Sequence, residues 1–354
     1  FLELYRRSGD ASWRRLALRL VDQVHTILGR HREDDSRTGW ISGLSEAEGR
    51  RHPTVGGLRI GKRMNERGID EPFDDRLEWD RDGQYYHYLT RWMQALDRVG
   101  RVTEDPVFNR WAVELAKAAH AAFVYRRPDG SRWMNWKMSI DLSRPQVSSI
   151  GQHDPLDGLI TCLQLRATAD LLSTSAPDLG GEIDDMAAVC RATSWRTGDP
   201  LGIGGLLCDA YRAAQLMSIG AFADAGLFRD LLESALASLK VLMGSRLLDL
   251  PDEDRLAFRE LGLAIGRHAV KRLKRLMESD PQSFSSDRAL ASRLNGLGGY
   301  IELGETIEKF WLDPRRRQLP VWAAHRDINR VMLAASLVPD GCLELTVTEG
   351  GKDG

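Results

Sequence analysis

Three stretches of this chain gather side chains that can give, take or hold a proton. The densest runs Glu78-Trp79-Asp80-Arg81-Asp82-Gly83-Gln84-Tyr85-Tyr86-His87-Tyr88. Asp80 and Asp82 stand just before a helix, where the positive end of its dipole favours ionised carboxylates. His87 and Arg91, four residues apart, share one face of that helix. Trp79 and Tyr85 add flat apolar rings of the kind that stack on a sugar. The plain alternative is that Asp82 caps the helix and the aromatics fill a core, with a buried stripe of Tyr85, Tyr88 or Leu89, Trp92 and Leu96.

The second stretch carries Trp136, Lys137, Asp141 and Arg144, then Gly151-Gln152-His153-Asp154-Pro155-Leu156-Asp157-Gly158. Asp154 followed by Pro155 reads as an N-cap with proline at the first helical position, and Asp157 then sits at the third. Capping accounts for those two, but not for His153 or for the Asp141–Arg144 pair in a loop. The third stretch, Trp322-Ala323-Ala324-His325-Arg326-Asp327, again sets His and Asp at a helix start. In all three, His or Asp precedes a helix that opens a hairpin. If those helix starts face one central mouth, Asp80, Asp82, His87, His153, Asp154, Asp157, His325 and Asp327 converge there.

Two carboxylates flanking a glycosidic bond act as acid and base, or as acid and nucleophile. Asp80 or Asp82 on one side, with Asp154 or Asp157 on the other, is the expected pair for hydrolysis. His87, His153 and His325 would bind hydroxyls, and Trp79, Tyr85, Trp136 and Trp322 would stack on rings. Lys137, Asp141, Arg144, Arg326 and Asp327 complete the expected substrate lining. The same text allows a sugar epimerase or isomerase with His153 and His325 as acid and base, because imidazole titrates near neutrality. It also allows a non-catalytic helical scaffold in which the clusters are caps and ion pairs.

The elements that must hold these groups are helical. A first helix ends near Arg7, and apolar residues recur at helical spacing over residues 16–28, 85–99, 107–125, 158–173, 181–193, 205–219, 227–242, 253–277, 285–297, 300–311 and 326–336. They are punctuated by turns such as Ser8-Gly9-Asp10 and Thr103-Glu104-Asp105-Pro106. Residues 131–150 hold short β-prone pieces, and residues 342–347 read as a terminal strand. The glycine-rich residues 197–205 read as a turn, Asp184-Asp185 as a solvated helix face, and Arg259-Glu260 as an ordinary ion pair within a helix. Two long segments, 30–84 and 126–157, break the rhythm. Their tryptophans and large apolar residues point to ordered, functional loops.

Composition narrows the partners. Lys and Arg number 49 against 51 Asp and Glu, for a net charge of −2, and the basic residues are scattered. That argues against nucleic acid or an anionic membrane. No apolar run approaches the roughly 18 residues of a spanning helix. The four cysteines, Cys162, Cys190, Cys208 and Cys342, form no CxxC pair and read as free thiols. HExxH, GxSxG and Walker motifs are missing, so neither metal nor cofactor is expected. The chain opens at Phe1 inside a helical pattern. The expectation is therefore a truncated N-terminus and a cytoplasmic protein, with secretion left open.

The recurrent hairpins, exemplified by Tyr5-Arg6-Arg7-Ser8-Gly9-Asp10 before one helix and Trp79-Asp80-Arg81-Asp82-Gly83-Gln84 before another, resemble those of the six-hairpin, (α/α)6-toroid sugar enzymes. That group includes glycoside hydrolases and the N-acylglucosamine 2-epimerase-like proteins. The resemblance implies an all-α toroid in a single domain over residues 1–354. It also implies acid and base residues at the loop ends of inner helices, and a small-molecule or oligosaccharide substrate. An irregular bundle or open α-solenoid is the alternative architecture.

Overall fold

In a computed structural model, which describes residues 1–173, 176–284 and 288–345, the chain is mostly helical with a few short strands. It divides into two compact units, the first formed by Phe1–Thr193 and the second by Ser194–Leu345. In the first unit the helices are α1 (Leu2–Ser8), α2 (Ala11–Leu28), α3 (Glu46–Arg51), α4 (Asp75–Asp80), α5 (Tyr86–Thr103), α6 (Pro106–Phe123), α7 (Asp154–Leu171) and α8 (Gly180–Arg191). The second unit holds α9 (Pro200–Ser218), α10 (Ala225–Ser245), α11 (Ala257–Ser279), α12 (Pro281–Phe284), α13 (Arg288–Gly298), α14 (Ile301–Leu312), α15 (Pro320–Ala324), α16 (Arg326–Leu337) and α17 (Asp340–Leu343). No helix among the described residues is long and apolar enough to cross a membrane.

In the first unit α5 is the hub, packed on both α6 and α7. Its buried stripe includes Tyr86, Leu89, Met93 and Leu96; of the expected stripe, Tyr85, Leu89 and Leu96 are buried, Trp92 is partly exposed, and Leu89, not Tyr88, is the one that faces inward. Helix α6 starts cleanly because the Asp105 side chain accepts from the Val107 amide and Pro106 occupies the first turn. Helix α7 is buried without a break from Asp154 to Leu165. A helix covered all round belongs to the centre of its unit.

The two long loops of this unit are ordered and knit together. Strands β1 (Gln84–Tyr85), β4 (Lys137–Met138) and β5 (Pro145–Val147) pair antiparallel in the order β1-β4-β5. A hairpin joins β2 (Val124–Arg126) to β3 (Arg132–Met134). The fully buried Gln84 amide accepts from the Leu58 amide and donates to the carbonyls of Gly56 and Ile140. One side chain thereby bridges residues 56–58 to residue 140.

In the second unit α9 and α11 make the closest helix pair. A Cβ on Gly204 would collide with the Gly262 backbone, and one on Gly266 would come within 2.7 Å of the Gly204 Cα. Three glycines thus let two backbones pass where larger residues would hold them apart. Helix α9 begins at Pro200, inside the stretch expected to be a turn, because Asp199 caps the amides of Leu201 and Gly202. The ion pair expected between Arg259 and Glu260 is redistributed: Glu260 pairs with Arg255 at 2.6 Å and Arg259 with Asp199 at 2.8 Å. Residues 342–343 belong to α17 and residues 344–345 form no strand, while the rest of that expected strand, from residue 346 on, lies outside the described residues. The expected helix over 285–297 is seen from Arg288, residues 285–287 lying outside the described residues.

Candidate functional site

The first turn of α7 packs against the first turns of α5 in the first unit. His153 is the N-cap of α7 and gives no side-chain capping bond. Asp154 is therefore the first helical residue, one place further in than the cap expected of it, and its side chain is released from capping. The Asp154 carboxyl turns back over Gly151, where any Cβ would collide with it. Asp154 is only 7% exposed, and its Oδ2 has no hydrogen-bond partner among the described residues.

One turn along, Asp157 is surrounded by donors from α5. Its Oδ2 lies 2.5 Å from the Thr90 hydroxyl, and its Oδ1 accepts from Gln94 Nε2 at 3.0 Å, with Arg91 Nη1 at 3.4 Å. Gln94 also donates to the Thr161 hydroxyl at 2.9 Å. Both oxygens of Asp157 are thus engaged while one oxygen of Asp154 is not. Burial pushes the Asp154 carboxyl up to about 7, the nearby Asp157 charge adds to the rise, and Arg91 opposes it. The buried carboxyl therefore keeps its proton to far higher pH than an ordinary aspartate, although it sits where the helix dipole favours the anion.

His87 sits on the same face of α5. Burial lowers it to about 4, Arg91 acts in the same direction and Asp157 against it, so the imidazole is neutral at pH 7. Its ring lies 4.3 Å from Tyr88, 5.6 Å from Tyr85 and stacked 6.5 Å from Trp136, centroid to centroid. Trp136 in turn meets Trp79 edge-on at 5.1 Å. Trp79 and Tyr88 are about half exposed. A strip of rings thus runs from the surface to the imidazole beside Asp157. The fully buried Tyr86 lies beneath, with its hydroxyl 2.5 Å from where a Cβ on Gly158 would stand.

Other expected site residues have different work. Asp82 is fully buried and accepts from the Gly61 and Gly83 amides and from Arg59 at 3.0 Å, so it anchors residues 59–61. Lys137 Nζ is spent on the Glu78 carboxylate and on the carbonyls of Glu78 and Arg81. Asp141 accepts from Ser139 and Ser143 and pairs with Arg37 at 3.3 Å, while Arg144 donates to the Arg67 carbonyl. These four were expected to touch substrate; the long loops use them as internal ties. Asp80 ends α4 with its side chain exposed. Asp185 is drawn into an ion pair with Arg132 at 2.7 Å and lies 3.1 Å from His120, whose burial disfavours its charged form, so only Asp184 lies on an exposed helix face.

In the second unit, His325, Arg326 and Asp327 are exposed at the start of α16. The His325 ring meets Phe258 at 5.3 Å, and Arg326 approaches Asp327 at 3.5 Å. Trp322 is buried against Trp311. No disulfide joins the cysteines among the described residues; Cys162, Cys190 and Cys208 are buried and Cys342 is exposed.

The structure thus brings together His87, Asp154 and Asp157, with Tyr85, Trp136 and Trp79 along the approach. Thr90 and Gln94 were not singled out from the sequence. Their signal was nonetheless there, since His87, Thr90, Arg91 and Gln94 recur at three- and four-residue spacing on one face of α5. Comparison of the chain with protein-family models, with curated proteins and with solved structures finds no match.

Proposed function

We propose that the chain is a carbohydrate-active enzyme of the six-hairpin toroid kind, a glycoside hydrolase in which Asp154 is the general acid. The observation that carries this reading is a buried carboxyl, pushed up to about 7 and holding an oxygen without a protein partner among the described residues. A general acid works best when its proton affinity matches the operating pH. Asp157, held by Thr90, Gln94 and Arg91, supplies the negative charge that helps Asp154 keep its proton. The rings of Trp79, Trp136, Tyr85 and Tyr88 offer stacking faces for a small sugar or an oligosaccharide. Asp82 is withdrawn as the second carboxylate because its oxygens are already bound; the exposed Asp80, next to Trp79, is retained for that role.

A panel of aryl glycosides and polysaccharides, scored by release of aglycone or reducing ends, tests the reading. Turnover should fall about 10²- to 10⁴-fold in Asp154→Asn. The wild-type rate should also drop as pH rises through about 7. Turnover of a confirmed substrate that is unaltered in Asp154→Asn would remove the assignment.

The neutral His87 imidazole beside Asp157 favours one second reading, proton transfer at a carbon of a free sugar. Incorporation of solvent deuterium into recovered sugar, without bond cleavage, would select that epimerase reading over hydrolysis. Under it, His153 is retained as a proton-transfer partner.

A further inference from the structure

On the second unit, α14, the helical turn Arg316–Gln318, α15 and α16 enclose a groove of about 380 Å³. Its apolar lining includes Leu312, Trp322, Leu333 and Leu337, and its charged lining is Arg317, Arg326 and Arg330. The apolar lining is fixed. The Trp322 ring packs on Trp311 at 5.7 Å, and the buried Asn329 donates to the Trp322 carbonyl at 3.0 Å.

The charged lining is positive and poorly compensated. Asp313 is held by Arg315 at 2.7 Å and Asp252 by Arg316 at 3.0 Å, and neither acid pairs with Arg317. Arg326 pairs with Asp327, whose side chain is 90% exposed and does not line the groove. Among the described residues, Arg317 and Arg330 have no side-chain ion pair. The start of α16 adds the positive end of its dipole, and its N-cap His325 supplies no side-chain capping bond.

The charge is also one-sided. Arg326 and Arg330 stand in the first turns of α16, and Leu337 ends it, about 10 Å beyond Arg330 at the helical rise. A purely apolar occupant would leave the Arg317 and Arg330 guanidinium groups without a counter-charge, and a sugar phosphate would leave the apolar end unfilled. We propose that this groove binds a small amphipathic anion, a carboxylate with an apolar tail. The head lies among Arg317, Arg326 and Arg330, and the tail runs along Leu333 and Leu337. This site stands independently of the sugar reading of the first unit.

Calorimetric titration of the full chain with decanoate, acetate and decanol tests it. Decanoate should bind one to one, with acetate and decanol at least about tenfold weaker, since each lacks half of the recognised chemistry. The double variant Arg317→Ala/Arg330→Ala should weaken decanoate by about tenfold or more while circular dichroism stays unchanged. Leu337→Asp, at the exposed tail end, should weaken decanoate and leave acetate unaffected. The proposal is overturned by decanol binding as tightly as decanoate, by undiminished binding in the double variant, or by no decanoate binding at millimolar concentration. A dimer in sedimentation that Leu337→Asp dissociates would also overturn it, by assigning the groove to a second copy of the chain.

Discussion

Helices α7 and α16 begin with nearly the same text. Each has a histidine N-cap without a capping bond and an aspartate within the first two helical residues. Their environments are opposite. Asp154 is 7% exposed and pushed up to about 7, while the Asp327 side chain is 90% exposed. The body of each helix explains the difference. Helix α7 continues through an unbroken buried run to Leu165, so its first turn is drawn inside with it. Helix α16 buries only Asn329, Leu333 and Ser336, so its first turn stays at the surface. A helix start loaded with His and Asp is therefore buried only when the helix behind it is buried too.

The widest separation between the two starts should appear in turnover. Asp154→Asn is expected to lower it about 10²- to 10⁴-fold, whereas Asp327→Asn leaves it unchanged, as read by initial rates on the same glycoside. Next is stability against pH. The proton affinity of Asp154 is raised on folding, from about 3.9 unfolded to about 7 folded. Its contribution is therefore fully present below about pH 4 and lost as pH rises through about 7. Asp154→Asn should be more stable than wild type at pH 8 by up to about 4 kcal/mol, and the two should converge near pH 4, in urea unfolding. Asp327→Asn should stay within about 0.5 kcal/mol at both pH values.

Packing gives a smaller contrast. Gly158→Ala drives a methyl into the Tyr86 hydroxyl and should cost about 1–3 kcal/mol. Ala334→Ser, at an exposed position on α16, should cost less than about 0.5 kcal/mol. The finest contrast is electrostatic. Asp157→Asn removes the charge that helps hold the Asp154 proton, so the upper pH limit of turnover should move to lower pH.

Helices were legible because their buried faces recur at the period of the backbone, and the β-prone pieces of 131–150 did form short strands. The start of α9 was misread because Gly202, Gly204 and Gly205 look like a turn. At Gly204 the small residue instead admits the backbone of α11, a partner some sixty positions away in the chain and invisible to local reading. The same holds for Asp82 and Lys137. Their chemistry suits catalysis, but Arg59, Gly61, Glu78 and Arg81 satisfy it once the long loops fold together. Asp154 and Asp157 were found because helix-start text marks them. Their inequality was not legible, since it depends on Thr90 and Gln94 reaching one carboxylate and leaving the other alone.

The central claim is that Asp154 carries its proton near neutrality, and titration of its carboxyl carbon by ¹³C NMR tests it directly, with Asp154→Asn identifying the resonance. The account predicts a midpoint near 7. A midpoint near 4, the ordinary value for an aspartate, would contradict it and with it the assignment of Asp154 as the acid.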